Sequence, residues 1–179
     1  MELLRAAGVA FQAVPPRYEE PDPIEFRYNP AEFAQAASYF KARSVADDYP
    51  DRLILAADTI VALNGQIYGK PVDARDARRI LAVLAGTTQE VITGVTLYEP
   101  ATGRRLIRHG VTRVTMRPIS ESELDAYIAS GQWQGKAGGY GIQDSDDPFV
   151  QTTEGSLSNV VGLPVELVME MLAEFDAES

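Results

Sequence analysis

Residues 54–63, Ile-Leu-Ala-Ala-Asp-Thr-Ile-Val-Ala-Leu, are an apolar run interrupted only by Asp58 and Thr59. A run of this length and composition reads as a buried strand, so the fold must take a carboxylate into its interior. An ionised carboxylate is costly there unless it is paired, bound to a cation or protonated. Lys70 follows on a turn-rich stretch, Asn64-Gly65-Gln66-Ile67-Tyr68-Gly69-Lys70-Pro71. A buried-strand Asp with a glycine-presented Lys downstream points to a metal-and-phosphate site. The plainer alternative is that Asp58 ends a strand and caps a turn.

The 179 residues are expected to form a single domain over 1–179, with two lobes around a central cleft. A net charge of -10 repels nucleic acid and anionic lipid, yet it permits a small phosphorylated ligand in a lysine-lined cleft. The sequence contains no cysteine, which excludes disulfides, thiolate metal sites and a Cys nucleophile. Its one histidine, His109, lies among Arg104, Arg105 and Arg108, where it reads as a solvated side chain. Hard oxygen ligands with Mg²⁺ or Mn²⁺ are therefore favoured over histidine sites. No apolar stretch reaches bilayer-spanning length and no signal peptide is read, so a cytoplasmic location is expected.

Helical and strand signals alternate along the chain. Glu2 to Ala10 reads as a helix fragment and Phe11 to Val14 as a short strand, followed by a proline-stiffened acidic loop carrying Glu19 and Glu20. Asn29-Pro30-Ala31-Glu32 is a helix start, with Asn as cap, Pro in the first turn and Glu completing a capping box. That helix is expected to run to about Ala46 with Phe33, Ala37 and Phe40 inward and Lys41 at the edge of the stripe. Asp73 caps a second helix with Ala77, Ile80, Leu81 and Leu84 on one face. Gln89 to Glu99 and Arg104 to Met116 read as a hairpin about Pro100-Ala101-Thr102-Gly103. Ser120 opens a helix that Gly131 closes. Two short strand candidates follow the Gly-rich segment 135–141, and a last helix begins at Val165. The pattern predicts an α/β class with a mixed sheet flanked by helices.

Gly135-Lys136-Ala137-Gly138-Gly139-Tyr140-Gly141-Ile142-Gln143 is neither a Walker loop nor a dinucleotide fingerprint. It serves equally as a structural crossover or as a loop whose N–H groups approach a ligand. Gln143 has the donor and acceptor to read a base edge. Glu19 and Glu20 are solvated unless their loop folds over the Asp58 cleft, where one would supply a second carboxylate to a magnesium site. Lys41 and Lys70 are surface charges unless a phosphate chain lies between them.

Taken in order, Ala57-Asp58-Thr59, Gly69-Lys70-Pro71, Gly86-Thr87-Thr88-Gln89-Glu90-Val91-Ile92-Thr93-Gly94-Val95, the segment Gly135 to Gln143, and Val160-Val161-Gly162-Leu163-Pro164 resemble the signature series of the Maf family. The likeness covers nearly the whole chain. It implies an ITPase-like fold and hydrolysis of a nucleoside triphosphate between its α- and β-phosphates, releasing the monophosphate and pyrophosphate. It places the family's proton acceptor on Asp58, its acidic-loop Glu on Glu20, its lysines on Lys41 and Lys70, and its substrate-choice positions on Thr59 and Gln143. Asp58 and Glu20 would hold the divalent cation. The Gly-Ile-Gln form resembles the branch acting on dTTP and UTP. A homodimer would follow family habit.

Two departures accompany the resemblance. Gln89 stands where relatives often carry His. The family's opening strand and Ser-x-Ser-Pro-Arg-Arg loop are not matched by Met1 to Val9, which resembles the helix after that loop. This implies either a start further upstream or an impaired protein. The rival to the enzyme is accordingly a non-catalytic nucleotide-binding regulator linked to division.

Overall fold

The structure is a computed structural model and describes residues 2–18, 29–141 and 149–177. Its centre is a five-stranded sheet in the order β2-β1-β3-β4-β5. The strands are β1 (Ile54–Leu63), β2 (Gln66–Tyr68), β3 (Thr88–Glu99), β4 (Arg104–Met116) and β5 (Val150–Glu154). The helices are α1 (Glu2–Ala6), α2 (Pro30–Val45), α3 (Ala74–Leu84), α4 (Glu121–Ser130), the single turn α5 (Leu157–Val160) and α6 (Val165–Ala177).

Helices flank the sheet as expected, but among the described strands every pairing is antiparallel, so no parallel component of a mixed sheet is seen there. Short turns enforce this for β1–β2 and β3–β4, where there is no room for the crossover a parallel pair needs. The strand expected at Phe11 to Val14 is irregular chain, and no described strand precedes β1. Among the described residues no strand pairs with that segment; Phe11 and Val9 instead pack into the cluster of Leu4, Val95, Leu97, Val168, Met171 and Phe175. Of the two strand candidates after the Gly-rich segment, β5 is described, and residues 142–148 lie outside the described residues.

β3 is buried along nearly its whole length because helices cover both of its faces. Since side chains alternate across a strand, Ile60, Ala62 and Ile92 meet Phe33 and Ala34 of α2 on one face. Val61, Val91 and Val114 meet α3, α4, Trp133, Tyr140 and Phe149 on the other. Asn29 caps α2 by accepting from Ala31 N at 2.9 Å. Ser120 and Glu123 complete the capping box of α4.

Phe40 corrects the expected inward stripe of α2: it is 50% exposed and stacks on Tyr18, ring centroids 5.6 Å apart. The buried face of α2 is Phe33, Ala34, Ala37, Ser38, Ala42 and Val45. At 3.6 residues per turn Phe40 lies roughly a third of a turn from its centre, whereas Lys41 lies within it.

Small residues let α2 approach the sheet closely. A Cβ added to Gly94 would lie 2.1 Å from the Ala34 carbonyl oxygen, and Gly94 is paired directly with Asp58. Gly94→Ala is therefore expected to push α2 off the sheet and cost about 3 kcal/mol in urea denaturation; a wild-type midpoint would show that the helix has room to move.

At the start of α4, a hydrogen bond from Arg117, followed by those from Ser120, lowers the Glu123 pKa from 4.5 to about 2. The stabilisation is present above the unfolded value near 4.5 and is lost as pH falls towards 2. Wild-type stability should therefore fall more steeply than that of Glu123→Gln across this window. Parallel acid limbs in urea titrations at several pH values would contradict the assignment.

Candidate active site

β2 pairs with β1 only at Val61, Ala62 and Leu63. Beside the rest of β1 opens a cleft of about 380 Å³, lined among others by Lys41, Ala57, Asp58, Thr59, Lys70 and Lys136. Asp58, Thr59, Lys41 and Lys70, named from the sequence, thus come together along one cavity. Glu20, with its neighbour Glu19, and Gln143 lie outside the described residues.

Asp58 is 4% exposed and accepts a hydrogen bond from Lys41 Nζ at 2.5 Å, the Lys41 side chain being 15% exposed. The carboxylate in the apolar run is therefore paired and does not cap a turn: β1 continues through it for five residues, to Leu63. The position of Lys41 on the buried face of α2 brings the ammonium to it. At this burial the pairing is weighed against the desolvation of both charges, and loss of either partner is severe.

Two further walls are tied to the sheet through buried hydrogen bonds. The Gly-rich turn is held by Gly138 N, which donates to the Gly69 carbonyl at 2.9 Å, so the turn and the Lys70 loop move together. Gly138 and Gly139 have φ of 69° and 75°, a left-handed conformation suited to glycine. A Cβ on Gly138 would also meet Val61 Cγ2 at 2.9 Å.

Tyr140, another lining residue, is joined to Gln89. The amide orientation that satisfies its surroundings has Gln89 Nε2 donating to the Thr87 and Val114 carbonyls, both at 3.2 Å, and Oε1 accepting from Tyr140 at 3.1 Å. Gln89 is thus a buried brace for the cleft wall. The opposite wall, Val160 to Gly162, follows α5, whose Asn159 donates through Nδ2 to the Val91 carbonyl and to Thr112 Oγ1, each at 3.0 Å. Ser156 and Ser158 donate to Glu166 at 2.9 and 2.8 Å. The backbone N–H of Glu166 itself, followed by the Ser158 and Ser156 hydroxyls, holds its carboxyl below the usual range.

Sequence reading did not single out Lys136, Tyr140, Thr93 or Asn159. Lys136 was visible as the one cation of the Gly-rich segment, and its stem lies against Gly141, where an added Cβ would meet its Nζ at 3.1 Å. Nothing in the linear pattern distinguishes Thr93 or Asn159 from other small polar residues.

A chain of net charge -10 thus carries lysines at 41, 70 and 136 around one buried carboxylate. That arrangement suits a polyanionic ligand with a reaction at a phosphorus centre. Among the described residues, no group of three or more His, Cys, Asp or Glu side chains forms a preformed metal site, and no helix is long and apolar enough to cross a membrane.

Comparison with known proteins gives the class. The profile of the Maf-like proteins matches residues 1–175. A protein of Nitratidesulfovibrio vulgaris named dTTP/UTP pyrophosphatase is 44% identical over 165 residues, covering 92% of this chain and 78% of its own length. Another so named, from Geobacter sulfurreducens, is 41% identical over 181 residues, covering 99% and 92%. A third, from Salinibacter ruber, is 45% identical over 144 residues, covering 80% and 71%. The chain belongs to the Maf family.

Lys41→Met should leave the Asp58 carboxylate buried without its ammonium and lower stability by about 3–5 kcal/mol. Adding Asp58→Asn should restore most of that loss. Additive losses in the double variant, measured from urea midpoints, would show that the two groups do not depend on each other.

Proposed function

We propose that this protein is a nucleoside triphosphate pyrophosphatase that cleaves dTTP or UTP, or a modified pyrimidine nucleotide, to the monophosphate and pyrophosphate. The observation that carries the reading is the buried Asp58–Lys41 pair, 2.5 Å apart, in a cleft also lined by Lys70 and Lys136. Relatives named dTTP/UTP pyrophosphatase, matching along most of the chain, support the substrate. They favour the enzyme over a non-catalytic regulator.

Hydrolysis at the α-phosphorus needs a water stripped of a proton, neutralised phosphate charge and a fixed triphosphate. Asp58 takes the proton from that water. Lys41 and Lys70 hold the phosphate chain and stabilise the charge that develops on it. Thr59 and Gln143 contact the nucleoside, and Glu20 supplies a second carboxylate at the phosphates.

A divalent cation, Mg²⁺ or Mn²⁺, suits this donor set. Such ions are commonly held by one or two carboxylates and complete their shell with substrate phosphates and water. Asp58 and Glu20 would hold it, and it would neutralise the triphosphate and acidify a bound water. The same reading places the enzyme in the cytoplasm and as a homodimer, which light scattering of the purified protein tests.

Asp58→Asn is expected to lower pyrophosphate release from dTTP and UTP by about 10²–10⁴-fold. Its melting temperature should fall as well, since the Lys41 ammonium, 15% exposed, loses its counter-ion, so turnover is compared at a temperature where both proteins are folded. Turnover within twofold of wild type would remove Asp58 from the mechanism.

A further inference from the structure

Thr59 Oγ1 lies 2.8 Å from Thr93 Oγ1, and Thr93 Oγ1 donates to the Asn159 carbonyl at 3.0 Å. A hydroxyl has one proton and two acceptor sites. A carbonyl has no proton to give, so the contact with Asn159 is a hydrogen bond when Thr93 donates. With that bond made, the contact between the two threonines runs from Thr59 as donor to Thr93 as acceptor. The proton of Thr59 points into the protein, and the cleft, which Thr59 lines, meets only its lone pairs.

The far end of this chain is fixed as firmly as the near end. Thr93 and Asn159 are 0% and 1% exposed. The Asn159 carbonyl also accepts from Gly162 N at 3.0 Å, and the Asn159 side chain is held on Val91 and Thr112. Gly162 passes over Thr59, a Cβ there falling 3.6 Å from Thr59 Oγ1. The wall and the polarity of the hydroxyl are therefore set by the same buried atoms.

Building on the nucleotide reading above, we infer that Thr93 is a positioning residue that locks Thr59 as an obligate hydrogen-bond acceptor, so that the cleft selects a nucleoside presenting a donor at that point. The donor is either the ring N–H of a uracil or thymine or a sugar hydroxyl. A cytosine ring nitrogen, itself an acceptor, would face Thr59 lone pair to lone pair. A site whose buried acceptor is left unmatched rejects the wrong ligand more strongly than it favours the right one.

The test compares pyrophosphate release from UTP, N3-methyl-UTP, 2′,3′-dideoxy-UTP and CTP by the wild type, Thr59→Val, Thr93→Val and Thr93→Ser, with binding of the same nucleotides measured by calorimetry. In the wild type, at least one donor-lacking analogue should fall about tenfold or more below UTP. Loss confined to the N3-methyl and cytosine compounds identifies the ring N–H; loss confined to the dideoxy compound identifies the sugar. Thr93→Val should collapse the ratio towards one, because the freed Thr59 proton can turn to the cleft, whereas Thr93→Ser keeps it.

If Thr93→Val does not fold, Thr59→Val decides, since its ratio should collapse likewise. An unchanged ratio in a folded Thr93→Val or in Thr59→Val, a lost ratio in Thr93→Ser, or no discrimination by the wild type overturns the inference. A donor preference in binding without any pyrophosphate release would sink the hydrolytic reading and leave the relay standing. Release with an unchanged ratio in Thr93→Val does the reverse.

Discussion

The ion pair between Lys41 and Asp58 is the constraint to which the rest of the structure is fitted. A carboxylate at 4% exposure in the middle of an apolar strand is tolerable only with a cation at hand, and the pair gives little net stability over an apolar substitute. Its presence at the floor of a cleft, beside Lys70 and Lys136, makes chemical sense where structural economy alone would not. The same low-polarity surroundings that make the charges expensive strengthen their action on a bound phosphate.

Bringing the pair together demands an unusually close helix. Gly94, opposite Asp58 in the ladder, leaves the space that the Ala34 carbonyl occupies, and α2 presents Ala34, Ala37, Ser38 and Ala42 to the sheet. The cleft walls are then fixed by polar contacts that water does not reach. Gly138 is bonded to Gly69, Tyr140 to Gln89, and Asn159 to β3 and β4. Each of these couples a loop at the cleft to the strand or loop beside it, which is how a site on loops acquires the rigidity of a sheet.

Much of this was legible in the residues because the signals were local. Asp73 and Ser120 are caps with specific chemistry, the β3–β4 hairpin announces itself by two β-rich runs about a Pro-Gly turn, and Asp58 stands out because it violates its surroundings. Phe40 was misread because three inward positions at plausible helical spacing do not locate the centre of a face. The buried set of α2 shows that the smaller Ala34 and Ser38 define it. Phe11 to Val14 has strand composition but pairs with no strand among the described residues, and pairing is decided by the fold and not by the segment. The Thr59–Thr93–Asn159 chain joins residues 34 and 66 positions apart, through ordinary polar side chains that carry no pattern of their own.

In the mechanism proposed above, water attacks the α-phosphorus of a nucleotide held over Asp58. Turnover of dTTP in water enriched in heavy oxygen, with both products weighed by mass spectrometry, tests it most directly. The account predicts the label in thymidine monophosphate and none in the pyrophosphate. Label in the pyrophosphate, or release of single orthophosphates, would contradict it.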